Sequence, residues 1–364
     1  MNSRKATLAG IALFAAVAAI GTSTQALTAA SATPVATPPA AVSAAAPSSA
    51  TSGWTQIANL RKPVAQVNSP TGLLAAGNDV LVSMANPATK HGSVVLFDAT
   101  THAQLDSVTV GWEPGKIVKV GDQYWVSNND ASITVLQIDG SSLKTVTTIS
   151  AGTKFSYGMT VGPNGNVYLL RSTPAGPTLV EIDATTHKIV GTFDNFAPHI
   201  SIQRTLASAD GAIWVAGKTA SNHGEVLKVD PTNGNVEAVV PVNGLPTDLA
   251  ADGAGHIWVA NEMGNQILEI ATDTAKVTQT IPLAGNPYGI AIDGSGNLFA
   301  SQSSTNSVAV INTQTGQVTQ QGISVGAYPD KIAIDNSGHP WVGNLENAPT
   351  DPPGGSVSVL GTNS

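Results

Sequence analysis

The chain has 364 residues, which is enough for two average domains or one large all-β domain. Its 16 Lys and Arg against 24 Asp and Glu give a formal charge of −8 without a basic cluster, which excludes nucleic acid as a partner. The chain has no cysteine, so disulfides and a lipid-modified cysteine anchor are excluded as well.

The amino terminus has the pattern of a secretory signal peptide. Residues 1–32 begin with Arg4 and Lys5, continue with an apolar run at 8–20, and end in an A-x-A site at 30–32. The apolar run is shorter than the ~20 residues that span a bilayer. The sequence therefore predicts a secreted or cell-envelope-associated protein without a transmembrane span after cleavage.

Residues 33–53 consist almost entirely of Ala, Pro, Ser, Thr and Val. Nothing in this stretch has the bulk to bury a core, so it is interpreted as a flexible or cell-wall-spanning linker. The folded domain is predicted to cover residues 54–364. Whether the protein stays at the cell wall or is released is left open.

A column of aromatic or large apolar residues recurs along this domain. Successive members lie 41 to 46 residues apart. The column consists of Leu81, Trp125, Tyr168, Trp214, Trp258, Phe299 and Trp341. A fixed period of about 40–45 residues with several short strands per unit is typical of propeller blades.

Each unit contains four predicted strands, and the unit from Pro287 is the clearest example. It contains "PYGIAIDGSG" as the inner strand with its turn, then "NLFAS", "SVAVINTQTG" and the outer "QVTQQGISV". Alternating side chains face the two neighbouring blades. The Asp-Gly, Asn-Gly and Thr-Gly steps of the repeat supply the positive φ of tight turns.

The last unit, from Pro329, supplies only three strands before the chain ends. The missing outer strand is available at residues 54–67, and its pairing with the last blade would close the ring and remove an open edge. The predicted fold is therefore an all-β, seven-bladed propeller of four-stranded blades. An eight-bladed ring, with the amino-terminal strands as a partial unit, is the alternative.

The units at 246–270 and 287–311 resemble NHL and YVTN repeats, and their P-x-x-I…G-x-x-W frame is similar to that of the streptogramin B lyases. The resemblance covers roughly residues 54–360. It implies a propeller with a magnesium ion on one face, held near a His and Glu residues from nearby blades. "PHISI" at 198–202 matches the segment that carries the family's His, which implies His199. The family's second-strand Glu position holds no Glu in any blade, and Glu262 lies one residue later.

The seven histidines divide into six that recur in register and one that stands alone. The recurring pairs are His256 with His339, His102 with His187, and His91 with His223. Such register residues are interpreted as turn features. His199 is the exception, and it is placed at a blade opening, where it is either a satisfied structural histidine or a functional one.

Loops between fourth and first strands, and between second and third strands, should share one face of the propeller, here called the entry face. His199 and His223 of blade 4 and Asp248 and Glu262 of blade 5 are predicted on that face. Imidazole and carboxylates from adjacent blades could hold a magnesium or calcium ion or form a base–acid pair. The alternative is that Asp248 and Glu262 are solvated rim charges.

Further polar residues open the other blades and should surround the same central mouth. These are Lys116, Tyr157, Tyr288 and Asp330, which suit a small polar ligand or simply meet water. Three amides share another column and are predicted to bond local backbone, namely Asn128, Asn261 and Asn344. The longest insertion, 344–355, could edge the mouth or contact a partner.

Three functional hypotheses follow. The first is an exported, monomeric binding module whose mouth takes a small polar ligand or a protein or cell-envelope partner, with no required cofactor. The second is a metal-dependent lyase or lactone hydrolase with His199 as general base and with Asp248, Glu262 and His223 near a magnesium or calcium ion. The third is an assembly scaffold without a small ligand.

Overall fold

The computed structural model describes residues 53–61, 69–86, 89–152, 156–173, 176–194, 199–200, 202–345 and 354–362. The predicted signal peptide and nearly all of the predicted linker lie outside these residues, so both stay predictions. No helix within the described ranges is long and apolar enough to cross a membrane.

The described chain folds into seven sheets of four antiparallel strands. Blade 1 contains β2 (Ser69–Ala76), β3 (Asp79–Ala85), β4 (Gly92–Asp98) and β5 (Gln104–Val110). Blade 2 contains β6 (Pro114–Val120), β7 (Gln123–Asn128), β8 (Ser132–Asp139) and β9 (Ser142–Ser150). Blade 3 contains β10 (Ser156–Val161), β11 (Val167–Thr173), β12 (Gly176–Ile182) and β13 (Ile189–Phe193). Blade 4 contains β14 (Ile202–Ala209), β15 (Ala212–Lys218), β16 (Gly224–Val229) and β17 (Val236–Val242). Blade 5 contains β18 (Pro246–Ala251), β19 (His256–Asn261), β20 (Gln266–Ala271) and β21 (Lys276–Pro282). Blade 6 contains β22 (Pro287–Ile292), β23 (Asn297–Gln302), β24 (Ser307–Asn312) and β25 (Val318–Ser324).

Blade 7 combines the two ends of the folded domain. Its strands are β26 (Pro329–Ile334), β27 (Pro340–Asn344), β28 (Ser356–Thr362) and, outermost, β1 (Trp54–Arg61). β1 runs antiparallel to β28. Each inner strand contacts the inner strand of the next blade, and β2 contacts β26, so the ring is closed. This confirms seven blades and the closing role of the amino-terminal strand.

The aromatic column forms the core between the blades. All seven of its members are fully buried. Trp214, for example, packs with Ile257, Val259 and Ile270 of the next blade in one apolar cluster. Each buried aromatic side chain contributes about 3 kcal/mol of hydrophobic stabilisation, so the column alone strongly favours side-by-side blades. The interpretation of these aromatics as core residues is confirmed.

A proline precedes a bulge at the start of most inner strands. Pro246 pairs with Asn261, and the register then shifts before Asp248. In blade 4 the residue in this proline position is Gln203, which pairs with Gly217. The Pro-His-x-Ile match predicts the blade opening at His199, but β14 begins three residues later, and His199 lies in the turn before it.

Candidate functional site

Inner strands of neighbouring blades approach closely around the central channel. A Cβ added at Gly72 would lie 2.0 Å from the Gly115 carbonyl oxygen, and one at Gly289 would lie 2.0 Å from that of Asp330. Glycine is therefore needed at Gly72 and Gly289, where the neighbouring inner strand comes this close. The same position around the ring is held by Gly72, Lys116, Gly158, Thr205, Asp248, Gly289 and Lys331. The charged members of this column lie in blades 2, 5 and 7.

Hydroxyl groups join the inner strands and so position the residues of the mouth. Thr247 Oγ1 donates to the carbonyl of Tyr288 at 2.8 Å and thereby connects blades 5 and 6. Ser301 Oγ accepts from the Gly289 N–H at 2.8 Å and donates to the Asp330 carbonyl at 3.0 Å, which connects blades 6 and 7. The backbone of Tyr288 and of Asp330 is therefore fixed by a hydrogen bond from the preceding blade.

Asp248 is a buried carboxylate that bonds three blades together. Only 4% of the residue is exposed. It accepts hydrogen bonds from Thr205 Oγ1 at 3.3 Å, from the Leu249 N–H at 3.1 Å and from the Ile290 N–H at 3.2 Å. Asp248 therefore lies inside the channel wall of blades 4 to 6, and it is not a solvated rim charge.

Asp330 and Lys331 form an ion pair in blade 7. Lys331 Nζ lies 3.3 Å from Asp330 Oδ1, and the two side chains are 25% and 13% exposed. This contact is close enough for an ion pair but is not aligned as a hydrogen bond, and Oδ1 has no hydrogen-bond donor among the described residues. Lys331 Nζ also lies 4.9 Å from the centroid of the Tyr288 ring, a cation–π distance.

The charges of this group influence one another. Burial raises the pKa of Asp330 above its usual value, the Lys331 ammonium opposes the shift, and the Asp248 carboxylate adds to it. Burial by itself would lower the pKa of Lys331, but Asp330, Asp248 and Tyr288 outweigh it, and the pKa is raised. The structure thus brings Asp248, Tyr288, Asp330 and Lys331 together. This set of four residues is called the channel group below.

His199 lies in a different setting from the one predicted. Its side chain is 38% exposed, and Nδ1 lies 3.9 Å from Glu225 Oε2. Glu225 is in the third strand of blade 4, and this oxygen is buried without a hydrogen bond from the described residues. The recorded polar partner of His199 is therefore Glu225 and not Asp248 or Glu262.

The other predicted site residues lie apart from the channel group or have local partners. His223 Nδ1 lies 3.1 Å from Ser221 Oγ within its own loop. Glu262 begins a 3-10 turn of three residues, Glu262–Gly264, and its N–H donates to the Leu245 carbonyl. Lys116 is half-buried in β6. Tyr157 is in β10, but its side chain lies outside the described part of the structure.

The described residues contain no preformed metal-binding cluster. No group of three or more His, Asp or Glu side chains in these ranges is arranged to hold a metal ion. The buried, hydrogen-bonded setting of Asp248 agrees with this result. The predicted ion site at Asp248 and Glu262 thus gains no support from the geometry.

The opposite face carries the turn motif that accounts for two register histidines. Asp252 accepts hydrogen bonds from the Ala254 and His256 N–H groups, from His256 Nδ1 at 2.9 Å and from Trp258 Nε1 at 3.2 Å. Burial by itself would raise the pKa of Asp252, but these bonds hold it below the usual range. In blade 7, Trp341 Nε1 donates to the corresponding carboxylate, Asp335, at 3.0 Å.

The histidines of the "ATTH" turns pack on the aromatic column. His102 meets Trp341 edge-on at 5.5 Å, and His187 meets Trp125 at 5.2 Å. Both histidines have positive φ, 60° and 59°, as their hairpin turns require. These contacts agree with the interpretation of register histidines as turn features.

The amides of the Asn column bond mainly to hydroxyl groups of the third strand. Asn128 Nδ2 donates to Ser132 and Thr134, and Asn344 Nδ2 to the Ser356 and Ser358 side chains. Asn261 follows the predicted pattern, with a 2.7 Å bond to the Asn243 carbonyl, and Asn344 Nδ2 also donates to the Ser356 carbonyl at 3.4 Å. The role is structural, as predicted, but the partners are mostly side chains.

Sequence reasoning missed Lys331 and Glu225. Lys331 shares its register position with Lys116 and Asp248, so a column-by-column comparison of the inner strands could have found it. Glu225 has no such signal, because its importance comes from the loop that brings His199 beside it.

The comparisons with known proteins agree with the architecture. A streptogramin B lyase structure aligns with a TM-score of 0.65 at 14% identity, over 85% of this chain and 98% of the other. A catalytically inactive virginiamycin B lyase from Staphylococcus aureus, with quinupristin, gives 0.65 at 14% over 86% and 99%. The WD40 propeller domain of Doa1 gives 0.65 at 13% over 86% and 99%.

No family model and no curated protein matches this chain's sequence. At 13–14% identity the structural likenesses show the seven-bladed propeller fold and nothing finer. Lyases and a WD40 domain align equally well, so overall shape does not separate catalysis from binding.

Proposed function

We propose that this protein is an exported propeller that binds a small polar ligand at its channel mouth, through a cationic or hydrogen-bond-donating part of that ligand. One observation carries the proposal: Asp330 Oδ1 is buried, and it contacts the Lys331 ammonium at 3.3 Å but accepts no aligned hydrogen bond from the described residues. Buried carboxylate oxygens are almost always hydrogen-bonded, so one that is not marks a position where a ligand donor would be stabilised.

The charge of the channel group favours the same ligand. Two carboxylates, Asp248 and Asp330, surround one ammonium, Lys331. With all three ionised the group carries one net negative charge. A ligand ammonium or guanidinium would neutralise that charge and favour the ionised form of Asp330, whose pKa is raised in its absence.

Tyr288 adds an aromatic ring to the charged groups of the site. Its ring already lies beside the Lys331 ammonium at a cation–π distance. Export rests on the amino-terminal pattern of residues 1–32, which belongs to this proposal as well.

The test is a calorimetric titration of the full chain with arginine, cadaverine and glucosamine, and with acetate and citrate as anionic controls. We expect saturable heat with at least one cationic compound and none with the anions. Asp330→Asn should weaken binding at least tenfold, whereas Lys144→Met, at an exposed site in blade 2, should not change it. Binding of anions only, or cation binding that survives Asp330→Asn, would contradict the proposal.

A second candidate is a metal-dependent lyase or lactone hydrolase, and the pair of His199 and Glu225 favours it. A carboxylate beside Nδ1 can orient an imidazole so that Nε2 acts as a base. The structural likeness to lyases agrees with this candidate but supplies the fold only.

Titration of the full chain with magnesium and calcium, followed by incubation with quinupristin, tests the second candidate. Metal-dependent loss of quinupristin that disappears in His199→Ala would establish it. Absence of both metal heat and turnover would remove it and leave the binding module.

A further inference from the structure

The face opposite the entry face carries a cleft between blades 4 and 5. It is open to solvent and has a volume of about 560 Å³, within the range of small-molecule sites. It is lined by Asp210, Lys228, Ala254, Gly255, His256, Ala271, Thr272 and Asp273. None of these residues belongs to the channel group, so the cleft is a separate candidate site.

A short turn in blade 4 explains why the cleft exists. β14 and β15 are joined by Asp210 and Gly211 alone, both with positive φ, 47° and 78°, as in a two-residue hairpin turn. Blade 5 has four residues at the equivalent place, 252–255, and Asp252 there accepts the Trp258 indole N–H. The shorter turn leaves space where blade 5 has a longer loop.

The short turn also leaves the indole of Trp214 without an acceptor. Trp214 is fully buried, and its Nε1 has no hydrogen-bond partner among the described residues. The equivalent indoles of Trp258 and Trp341 both donate to a turn aspartate. An unpaired buried N–H costs about 1–3 kcal/mol, so this end of blade 4 lacks a stabilising contact that blades 5 and 7 have.

The register places this indole beneath the cleft. Trp214 is the cross-strand partner of Lys228, so the two side chains share one face of blade 4. Lys228 lines the cleft, and Trp214 packs against the strands of blade 5 that form the opposite wall. In the neighbouring repeats the indole N–H is directed to the inner turn at this same end of the blade.

The polar groups of the cleft carry mixed charge. The Thr272 hydroxyl contacts the Asp210 carboxylate, and Lys228 Nζ donates to the Thr272 carbonyl at 3.2 Å. Asp273 is exposed at the rim, and Lys228 also lies 3.6 Å from Glu237 Oε2. Acceptors and donors therefore alternate within a few ångströms of each other.

This arrangement selects against simple ions. An anion that approaches Lys228 meets the carboxylates of Asp210 and Asp273, and a cation that approaches those carboxylates meets Lys228. The described residues also contain no three-ligand group for a metal ion. A hydroxyl group both donates and accepts, so a compound with several hydroxyls satisfies both kinds of neighbour at once.

We infer that the cleft between blades 4 and 5 binds a neutral polyhydroxylated ligand, such as a monosaccharide or the terminal sugar of a glycan. Its hydroxyls donate to the Asp210 and Asp273 carboxylates and accept from Lys228, while the buried Trp214 indole lies behind Lys228 and senses the occupied cleft without lining it. The inference does not depend on the proposed function of the channel mouth.

Nuclear magnetic resonance of the ¹⁵N-labelled full chain tests this inference through the indole N–H signals. Glucose, arabinose and N-acetylglucosamine are titrated at millimolar concentrations, and the Trp214 signal is assigned with Trp214→Phe. We expect at least one sugar to shift the Trp214 signal saturably while the signals of Trp258 and Trp341 stay unchanged. Those two indoles are the internal controls, because each already has a carboxylate partner.

Two variants sharpen the result without removing the turn. Asp210→Asn keeps a turn-compatible residue, and Lys228→Met keeps most of the buried stem; each should weaken sugar binding at least tenfold. Lys144→Met, at an exposed site in blade 2, should leave it unchanged. A Trp214 signal that no sugar moves, or equal shifts of all three indoles, would overturn the inference.

Discussion

Two aspartates of blade 5, only four residues apart, show how differently the two ends of the propeller use a carboxylate. Asp252, on the opposite face, accepts only from Ala254, His256 and Trp258, all within six residues of it. Asp248, near the entry face, accepts from Thr205 and Ile290, which lie 43 and 42 residues away in other blades.

This difference separates scaffold from candidate site. A carboxylate that is satisfied inside its own turn repeats with the blade, as Asp335 and Asp293 do in blades 7 and 6. A carboxylate that depends on other blades occurs once, because its partners differ around the ring. Polar residues with long-range partners are therefore the better candidates for function in this fold.

The largest expected effect comes from breaking the channel group. Lys331→Met leaves Asp330 and Asp248 buried without their cation and should lower the free energy of unfolding by about 3 kcal/mol at neutral pH. Urea denaturation measures the change. Asp330→Asn combined with Lys331→Met should recover much of the loss, and Lys144→Met is the exposed-lysine control. A loss no larger than that of the control would contradict this account.

The pH dependence of that variant has a defined sign. The pKa of Asp330 is raised, so its contribution to stability is fully present below its unfolded pKa and is lost as the pH rises through the folded pKa. Without Lys331 the pKa of Asp330 should rise further. The difference between parent and variant should therefore shrink when denaturation is repeated under acidic conditions.

Asp252→Ala tests the aspartate whose partners all lie in its own turn. It should lower the free energy of unfolding by about 2 kcal/mol, because the Trp258 indole and the turn N–H groups lose their acceptor. The pKa of Asp252 is lowered, so its contribution is present above the unfolded pKa and is lost as the pH falls through the folded pKa. Urea denaturation at neutral and acidic pH measures both effects. An equal cost at both pH values would show that the carboxylate charge has no part in the turn.

The smallest expected effect concerns blade 2, which replaces the turn aspartate by a glutamine. Gln123 Oε1 accepts from Trp125 Nε1 at 3.3 Å and lies 3.2 Å from His187 Nε2. Gln123→Ala should lower the free energy of unfolding by about 1 kcal/mol, which is less than the loss for Asp252→Ala, because a neutral acceptor forms weaker hydrogen bonds. Thermal unfolding of the two variants side by side measures the order, and the reverse order would refute this explanation.

Much of the fold could be predicted because its signals are local and repeated. The period of the aromatic column, the turn dipeptides and the unpaired last blade each specify one feature, and the structure confirms the column and the closing strand. Blade 4 was placed less well. Blade 4 has Gln203 where most inner strands have a proline before the bulge, so the sequence pattern places the blade opening at Pro198 instead.

Less of the candidate site could be predicted, and the particular residues show why. The ring brings the blade openings together, and Asp248, Tyr288 and Asp330 lie in one group with Lys331, whereas their role as a ligand site stays a prediction. The partner of His199 was not foreseen, because a loop and not the repeat positions that histidine beside Glu225. Lys331 was missed although its register position was readable.

The sequence by itself determined the strand order within each blade and the residues that fill the space between blades, and it favoured seven blades over eight, because strand periodicity and tight turns act over a few residues and recur in every unit. Only the tertiary structure decided that Asp248 is buried, that Lys331 pairs with Asp330, and that Trp214 lacks the acceptor found in blades 5 and 7. Each of these depends on contacts between blades, or on a turn that is shorter than its neighbours. Electrostatic and hydrogen-bond partners in a closed ring are set by spatial proximity, which strand patterning leaves undetermined.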